Sequence, residues 1–251
     1  MADLLLLPDD EAHLWYVLTD SVTDAALLDQ FRASLCDDEV RRWQRFSFEE
    51  GKRSFLVSHG FLRAVLSRYA AVAPADWRFV HSAYGKPEVR RPSAAVRRSL
   101  CFNLTHTRGL AACVIAWDRE VGVDAEDWTR QGREVGDDLI RHCLSPAELE
   151  CFRTLAPAER NRGFFDYWTL KEAYLKARGF GLSLPVEEIT FHWPSGAPHE
   201  GDVAVSFGPV IGDSPHTWQF ARHFPTERHK IAVAVRRLAG PDLNVVVREF
   251  S

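Results

Sequence analysis

No CxxC pair occurs among the five cysteines, and no HExxH segment occurs among the ten histidines. Structural zinc wants ligands at short, regular spacings, so neither residue type offers a zinc site. Cys36, Cys101, Cys113, Cys143 and Cys151 are odd in number, which reads as reduced, mostly buried thiols of a cytoplasmic protein. A basic excess is also missing. The 31 Lys and Arg face 35 Asp and Glu, a net charge of −4, where a general nucleic-acid binder would need the opposite balance. Leu4–Leu7 is greasy but far short of the ~20 residues of a membrane span, and no basic segment precedes it. No membrane partner and no export signal are expected.

What the chain does have is core material. It is 46% hydrophobic and 26% charged over 251 residues, enough for one large domain or two small ones. Leu14–Leu18 has strand character. Ser47 and Glu50 have the spacing of a capping box, followed by Phe55, His59, Leu62, Leu66 and Tyr69 at helical steps. Leu100–Leu104 and Leu110–Trp117 form a hairpin around residues 105–109, and the second run is apolar enough for a buried strand. Ser145 and Glu148 form a second capping box with Pro146 at the first helical position. Pro157–Arg178 is one long helix, stopped at Gly179. Short alternating segments follow, at residues 189–193, 203–207, 218–223, 231–235 and 245–247. The order suggests two α+β halves, residues 1–118 and 119–251.

Several polar residues stand where chemistry is possible. In Val121–Glu126 the strand period puts Gly122, Asp124 and Glu126 on one face. Carboxylates one strand step apart, roughly 6–7 Å at Cα, repel unless a cation lies between them. A hard metal fits that need, Mg²⁺ before Ca²⁺ because few protein ligands are offered. The plain alternative is a pair of solvated acids on an edge strand. In the long helix Glu172 and Lys176 are one turn apart beside Phe165 and Trp168, and the plain alternative is a surface pair. Arg41, Arg42 and Arg45 are candidate phosphate contacts, against ordinary pairing such as Asp38 with Arg42. A cation at Arg53, in a first helical turn, would suit an anion bound there. Lys86 sits on a stiff Gly-Lys-Pro tip, and Asn103 and His106 at the mouth of a buried hairpin need partners or a ligand. Arg90–Arg98 reads as a solvated basic connection.

Five segments together resemble the Sfp-type 4′-phosphopantetheinyl transferases. They are YGKP (84–87), FNLTH (102–106), GVDAE (122–126), WTLKEAYLK (168–176) and GLSLP (181–185), in family order. The match covers roughly residues 40–190, in the branch with the Trp…Lys-Glu-Ala signature. The resemblance implies an α+β fold of two similar subdomains related by a pseudo-twofold, each an antiparallel sheet with packed helices. Coenzyme A and Mg²⁺ would lie between them. It implies transfer of the phosphopantetheine arm of coenzyme A to a serine of an apo acyl or peptidyl carrier protein, releasing adenosine 3′,5′-bisphosphate.

By position, the resemblance makes Asp124, Glu126 and Glu172 the Mg²⁺ ligands, Glu172 also the base for the carrier serine, and Lys176 the group at the leaving phosphate. It makes Arg42, Arg53, Lys86, Thr105 and His106 coenzyme A contacts, with His106 and Arg42 near the 3′-phosphate. Thr105 stands where serine is common. Carrier docking is expected from Arg130–Arg141 or the segment leading into Tyr167 and Trp168. A chain that supplies both halves is expected to be a monomer. The rival readings are a Mg²⁺-dependent nuclease and a non-catalytic module binding coenzyme A or a carrier protein.

Overall fold

The computed structural model describes residues 4–90, 98–129, 135–193, 203–238 and 242–251. Two compact units divide it: Met1–Asp118 with Leu243–Ser251, and Arg119–Asp242. Unit 1 runs through β1 (Glu11–Leu18), α1 (Ala25–Ser34), α2 (Asp37–Gln44), α3 (Glu49–Leu66), β2 (Phe79–His81), β3 (Pro87–Val89), β4 (Leu100–Thr107) and β5 (Leu110–Trp117). Unit 2 runs through β6 (Val121–Asp127), α4 (Asp137–Cys143), α5 (Pro146–Thr154), α6 (Pro157–Arg178), β7 (Ile189–His192), β8 (Ala204–Phe207), β9 (Trp218–Thr226) and β10 (His229–Arg236). The chain then returns to unit 1 with β11 (Asn244–Glu249).

In unit 1 the sheet order is β11-β1-β5-β4. β5 is flanked on both edges, which explains its unbroken apolar run; every residue from Leu110 to Ala116 is buried. Leu56, Val57, Phe61 and Val65 of α3 pack with Trp15, Phe102, Cys113 and Ile115 of the sheet. Two expectations fail here. β11 pairs with β1 in parallel, Glu11 opposite Asn244, so the sheet is not wholly antiparallel and the last residues leave the expected 119–251 half. Ser47 does not cap α3 either. The helix starts at Glu49 after Phe48, with no side-chain cap, and Glu50 lies 3.4 Å from Arg108 instead of folding back. A reciprocal cap forms upstream, where the Cys36 amide donates to Glu39 at 2.9 Å.

In unit 2 the order β6-β10-β9 is antiparallel, with α6 laid against β6 and β10. The expected helix stands at its expected bounds: Pro157 opens it and Gly179 closes it with φ 70°, a conformation glycine adopts without strain. Phe164, Tyr167, Leu170 and Tyr174 carry its buried face, with Phe191, Trp218, Ala232 and Ala234 in the same core. Ser145 caps α5: its hydroxyl accepts from the Glu148 amide at 3.3 Å, and Glu148 accepts from the Ser145 amide at 2.8 Å. No helix among the described residues is long and apolar enough to cross a membrane.

Candidate functional site

The acidic site of unit 2 follows from a missing side chain. Gly122, Asp124 and Glu126 face α6, and opposite them on β10 stand Ala234, Ala232 and Lys230. The small residues keep the sheet surface low. α6 comes so close that a Cβ on Gly122 would meet the Ala173 carbonyl at 2.0 Å. That approach sets Glu172 and Lys176, on the turn either side of Ala173, beside the strand carboxylates.

Lys176 Nζ donates to Asp124 Oδ1 at 2.5 Å. Asp124 and Glu126 are buried, and Glu172 is half-buried. Burial pushes the Glu172 carboxyl up to about 7, the charges of Asp124 and Glu126 add to it, and Lys176 pulls the other way. Three carboxylates and one amine therefore share one electrostatic neighbourhood. Among the described residues, no three His, Cys, Asp or Glu side chains are grouped so as to hold a metal ion, and Asp124 is engaged by the Lys176 ammonium.

Two buried ion pairs fix α6. Lys171 Nζ lies 2.6 Å from Glu148 Oε2, both side chains at 0% exposure, and donates to the carbonyls of Cys143 at 2.6 Å and Val186 at 2.9 Å. Glu148 also accepts from the amides of Ser145 and Phe191. Burial lowers Lys171 and raises Glu148 from their ordinary values, and their mutual attraction opposes both shifts. The Lys of the Lys-Glu-Ala segment is thus a tie between α6, α5 and β7, while its neighbour Glu172 faces the acidic site. Lys230 donates to Asp166 Oδ1 at 2.6 Å and to the Arg162 carbonyl at 2.9 Å. Neither pair was foreseen from sequence, because partners 23 and 64 positions apart leave no local signal.

Unit 1 contains a cavity of about 670 Å³ whose walls include Arg42, His59, Arg63, His81 and His106. Strand alternation decides which hairpin residue reaches it. β4 runs to Thr107, with Arg108 and Gly109 alone in the turn, so Thr105 and His106 lie on the strand. Thr105 is buried and His106 is exposed on the other face with Leu104, which also lines the cavity. Arg42 is exposed and forms no ion pair among the described residues; Asp38 pairs with Arg41 instead.

Lys86 lies between two lining residues, Gly85 and Pro87, in a turn where its amide donates to Ser82 Oγ at 3.1 Å and Gly85 has φ 85°. Arg53 is placed differently. Its guanidinium donates to the carbonyls of Thr19, at 3.3 Å, and Val22, and it is not among the lining residues. Backbone carbonyls do there what an anion was expected to do.

Sequence reasoning overlooked Glu39. Burial alone would raise its carboxyl, but the hydrogen bond with His59, the Cys36 amide and Arg63 outweigh it and hold Glu39 at about 2. Its partners sit 20 and 24 positions away, and the only local trace was its three-residue spacing from Cys36. Of the expected docking segments, residues 130–134 lie outside the described residues, as do residues 91–97 of the basic connection, and Tyr167 is 1% exposed and so internal. A hollow of about 850 Å³ along β8 and β9, lined by Trp218, Arg222 and Phe224, contains none of the expected site residues.

A model of the 4′-phosphopantetheinyl transferase superfamily matches residues 120–234. The 4′-phosphopantetheinyl transferase HetI of Nostoc sp. strain PCC 7120 is 37% identical over 185 residues, 74% of this chain and 75% of that protein. A putative 4′-phosphopantetheinyl transferase of Synechocystis sp. strain PCC 6803 is 28% identical over 199 residues, 79% of this chain and 76% of that one. The crystal structure of Thermotoga maritima holo-[acyl-carrier-protein] synthase aligns with a TM-score of 0.35 and 20% identity, over 47% of this chain and 62% of that one. On the identity and coverage of the Nostoc relative, the chain belongs to the 4′-phosphopantetheinyl transferase superfamily.

Proposed function

We propose that the chain transfers the 4′-phosphopantetheine arm of coenzyme A to a serine of an apo acyl or peptidyl carrier protein, with Mg²⁺, releasing adenosine 3′,5′-bisphosphate. The serine oxygen forms a bond to the phosphorus that carries the pantetheine arm. The bond from that phosphorus to the nucleotide's bridging oxygen breaks, and the nucleotide leaves with the electron pair. The observation that carries this reading is the grouping of Glu172 with Asp124, Glu126 and Lys176, where helix and strand bring three carboxylates and an amine together and Lys176 donates to Asp124 at 2.5 Å. A carboxylate placed there can take the proton of the serine hydroxyl, directly or through water.

Lys176 supplies positive charge for the leaving phosphate. Asp124, Glu126 and Glu172 would hold Mg²⁺ once Lys176 releases Asp124 and the three carboxylates close together. The fit rests on donor chemistry, since all three offer hard carboxylate oxygens, and Asp124 and Glu126 both raise Glu172 through their charge. The ion, when bound, draws charge from the pyrophosphate. Phosphoryl-type transfer of this kind needs positioning and charge neutralisation more than covalent chemistry from the protein.

In unit 1, Arg42 and His106 are assigned to the 3′-phosphate and Lys86 to the rest of the coenzyme, while Thr105, buried on the other face of β4, is left a structural part. Arg53 keeps a supporting part through the Thr19 and Val22 carbonyls. A cytoplasmic monomer completes the proposal; the five free thiols support the cytoplasmic setting. The test is chromatographic. Release of adenosine 3′,5′-bisphosphate from coenzyme A is expected only when apo carrier and Mg²⁺ are both present. Equal release without carrier would mark a hydrolase and end the transferase reading.

A further inference from the structure

The cations around the unit 1 cavity are not equivalent. Arg63 is 1% exposed and spends its charge on Glu39, whose Oε2 accepts from Nε at 3.1 Å and Nη2 at 2.7 Å. Its remaining nitrogen donates to the carbonyls of Pro74 and Trp77. Arg63 is therefore a strut that braces α3 against the wall of the cavity. His59 is held in a different way. Its ring stacks on Phe55, with centroids 4.0 Å apart and planes at 24°, and its Nδ1 lies 3.0 Å from Glu39 Oε1.

Glu39 is ionised and can only accept, so Nδ1 carries the hydrogen. The tautomer and the ring plane are both fixed. Nε2 is left as the nitrogen that can meet a ligand in the cavity His59 lines. An anion is held at Nε2 when that nitrogen also carries a hydrogen; the ring then donates to Glu39 on one side and to the anion on the other, and charge-assisted bonds of that kind are the strong ones. Arg42, with no ion pair among the described residues, lines the same cavity and brings a planar fork of donors. A phosphate monoester has three terminal oxygens and needs several such donors.

We infer that His59, aimed by Glu39, is a specificity-determining residue that recognises the 3′-phosphate of the donor, so that coenzyme A is preferred over its 3′-dephospho form. The inference rests on the coenzyme A reading above. Glu39 lines the same cavity but, as an ionised carboxylate, offers a phosphate no hydrogen bond. It is a positioning residue that ties α2, which carries Arg42, to His59 and Arg63 on α3.

The experiment compares coenzyme A with 3′-dephospho-coenzyme A as donors to one apo carrier, for the wild-type enzyme, His59→Ala and His59→Gln. Gln keeps a donor for Glu39, which guards against a folding defect, and melting curves check both variants. In each variant KM for coenzyme A should rise about tenfold, as for loss of one charge-assisted bond, while KM for the dephospho donor and both kcat values stay within about twofold. Parallel rises in both KM values would show a merely structural role, and no rise in either would show none; each overturns the assignment of His59 alone. Failure of the wild-type enzyme to transfer from either donor would overturn the transferase reading and this inference with it.

Discussion

Gly122 and Ala173 are in backbone contact: a Cβ on Gly122 would lie 2.0 Å from the Ala173 carbonyl oxygen and 2.4 Å from the Ala177 amide nitrogen. Those obstacles are main-chain atoms, so the added methyl can be housed only by moving α6. Gly122→Ala is expected to cost about 1–3 kcal/mol, the range for overpacking. Transfer should fall as well, because Glu172 and Lys176 ride on the displaced helix. Urea unfolding and an initial-rate assay check the two effects. Wild-type values in both would mean that the close approach has no functional weight.

Glu172 yields a stability test with a definite sign. Its folded value of about 7 lies above the ordinary 4.5, so the folded chain holds that proton more tightly than the unfolded one. Nothing is lost below pH 4.5; a penalty grows as pH rises from there through about 7. In metal-free buffer, Glu172→Gln should melt at or above the wild-type temperature at pH 8, with the gap closing towards pH 4.5. The same variant should lose transfer by ~10²–10⁴, as for removal of a general base. A less stable variant with normal turnover would refute both halves.

Lys171 and Glu148 test the anchoring of α6. Lys171→Ala leaves a carboxylate buried at 0% exposure without its cation, and breaking a buried pair from one side costs about 3–5 kcal/mol. Denaturant midpoints would read this directly. Lys171 touches no proposed substrate, so a variant with full stability and no activity would place the residue in the chemistry instead.

Glu39 governs the acid limb of unit 1. Its folded value of about 2 lies below the ordinary 4.5, so its stabilisation is complete above pH 4.5 and is lost as pH falls towards 2. A shift of that size corresponds to about 3 kcal/mol for this buried carboxyl. Urea titrations between pH 5 and pH 3 should show the wild type weakening steeply. In Glu39→Gln the same range should be flatter and the starting stability lower. An equally steep acid limb in that variant would assign it to other carboxylates.

Local patterns carried much of the fold. Pro157–Arg178 was legible because proline, a helical apolar period and Gly179 all lie within one stretch. The facing of Gly122, Asp124 and Glu126 followed from the strand period, and the contact of Asp124 with Lys176 brings that face to α6. What was not legible depends on distant partners. β11 chooses β1, more than two hundred positions away, and nothing in Asn244–Glu249 announces a parallel pairing. Ser47 had the right spacing for a cap, but Glu50 turned towards Arg108. Arg53 looked like an unfilled anion site because the carbonyls that fill it belong to residues 19 and 22. His59 read as one more step of an amphipathic helix until Glu39 was found against its ring.

The intact mass of an apo carrier protein, recorded before and after incubation with this enzyme, coenzyme A and Mg²⁺, tests the central claim most directly. The carrier is expected to gain the mass of one phosphopantetheine arm on its serine with wild-type enzyme, and to gain nothing with Glu172→Gln. An unchanged mass across a panel of fatty acid, polyketide and nonribosomal peptide carriers, or an equal gain with Glu172→Gln, would contradict the role given to the acidic site.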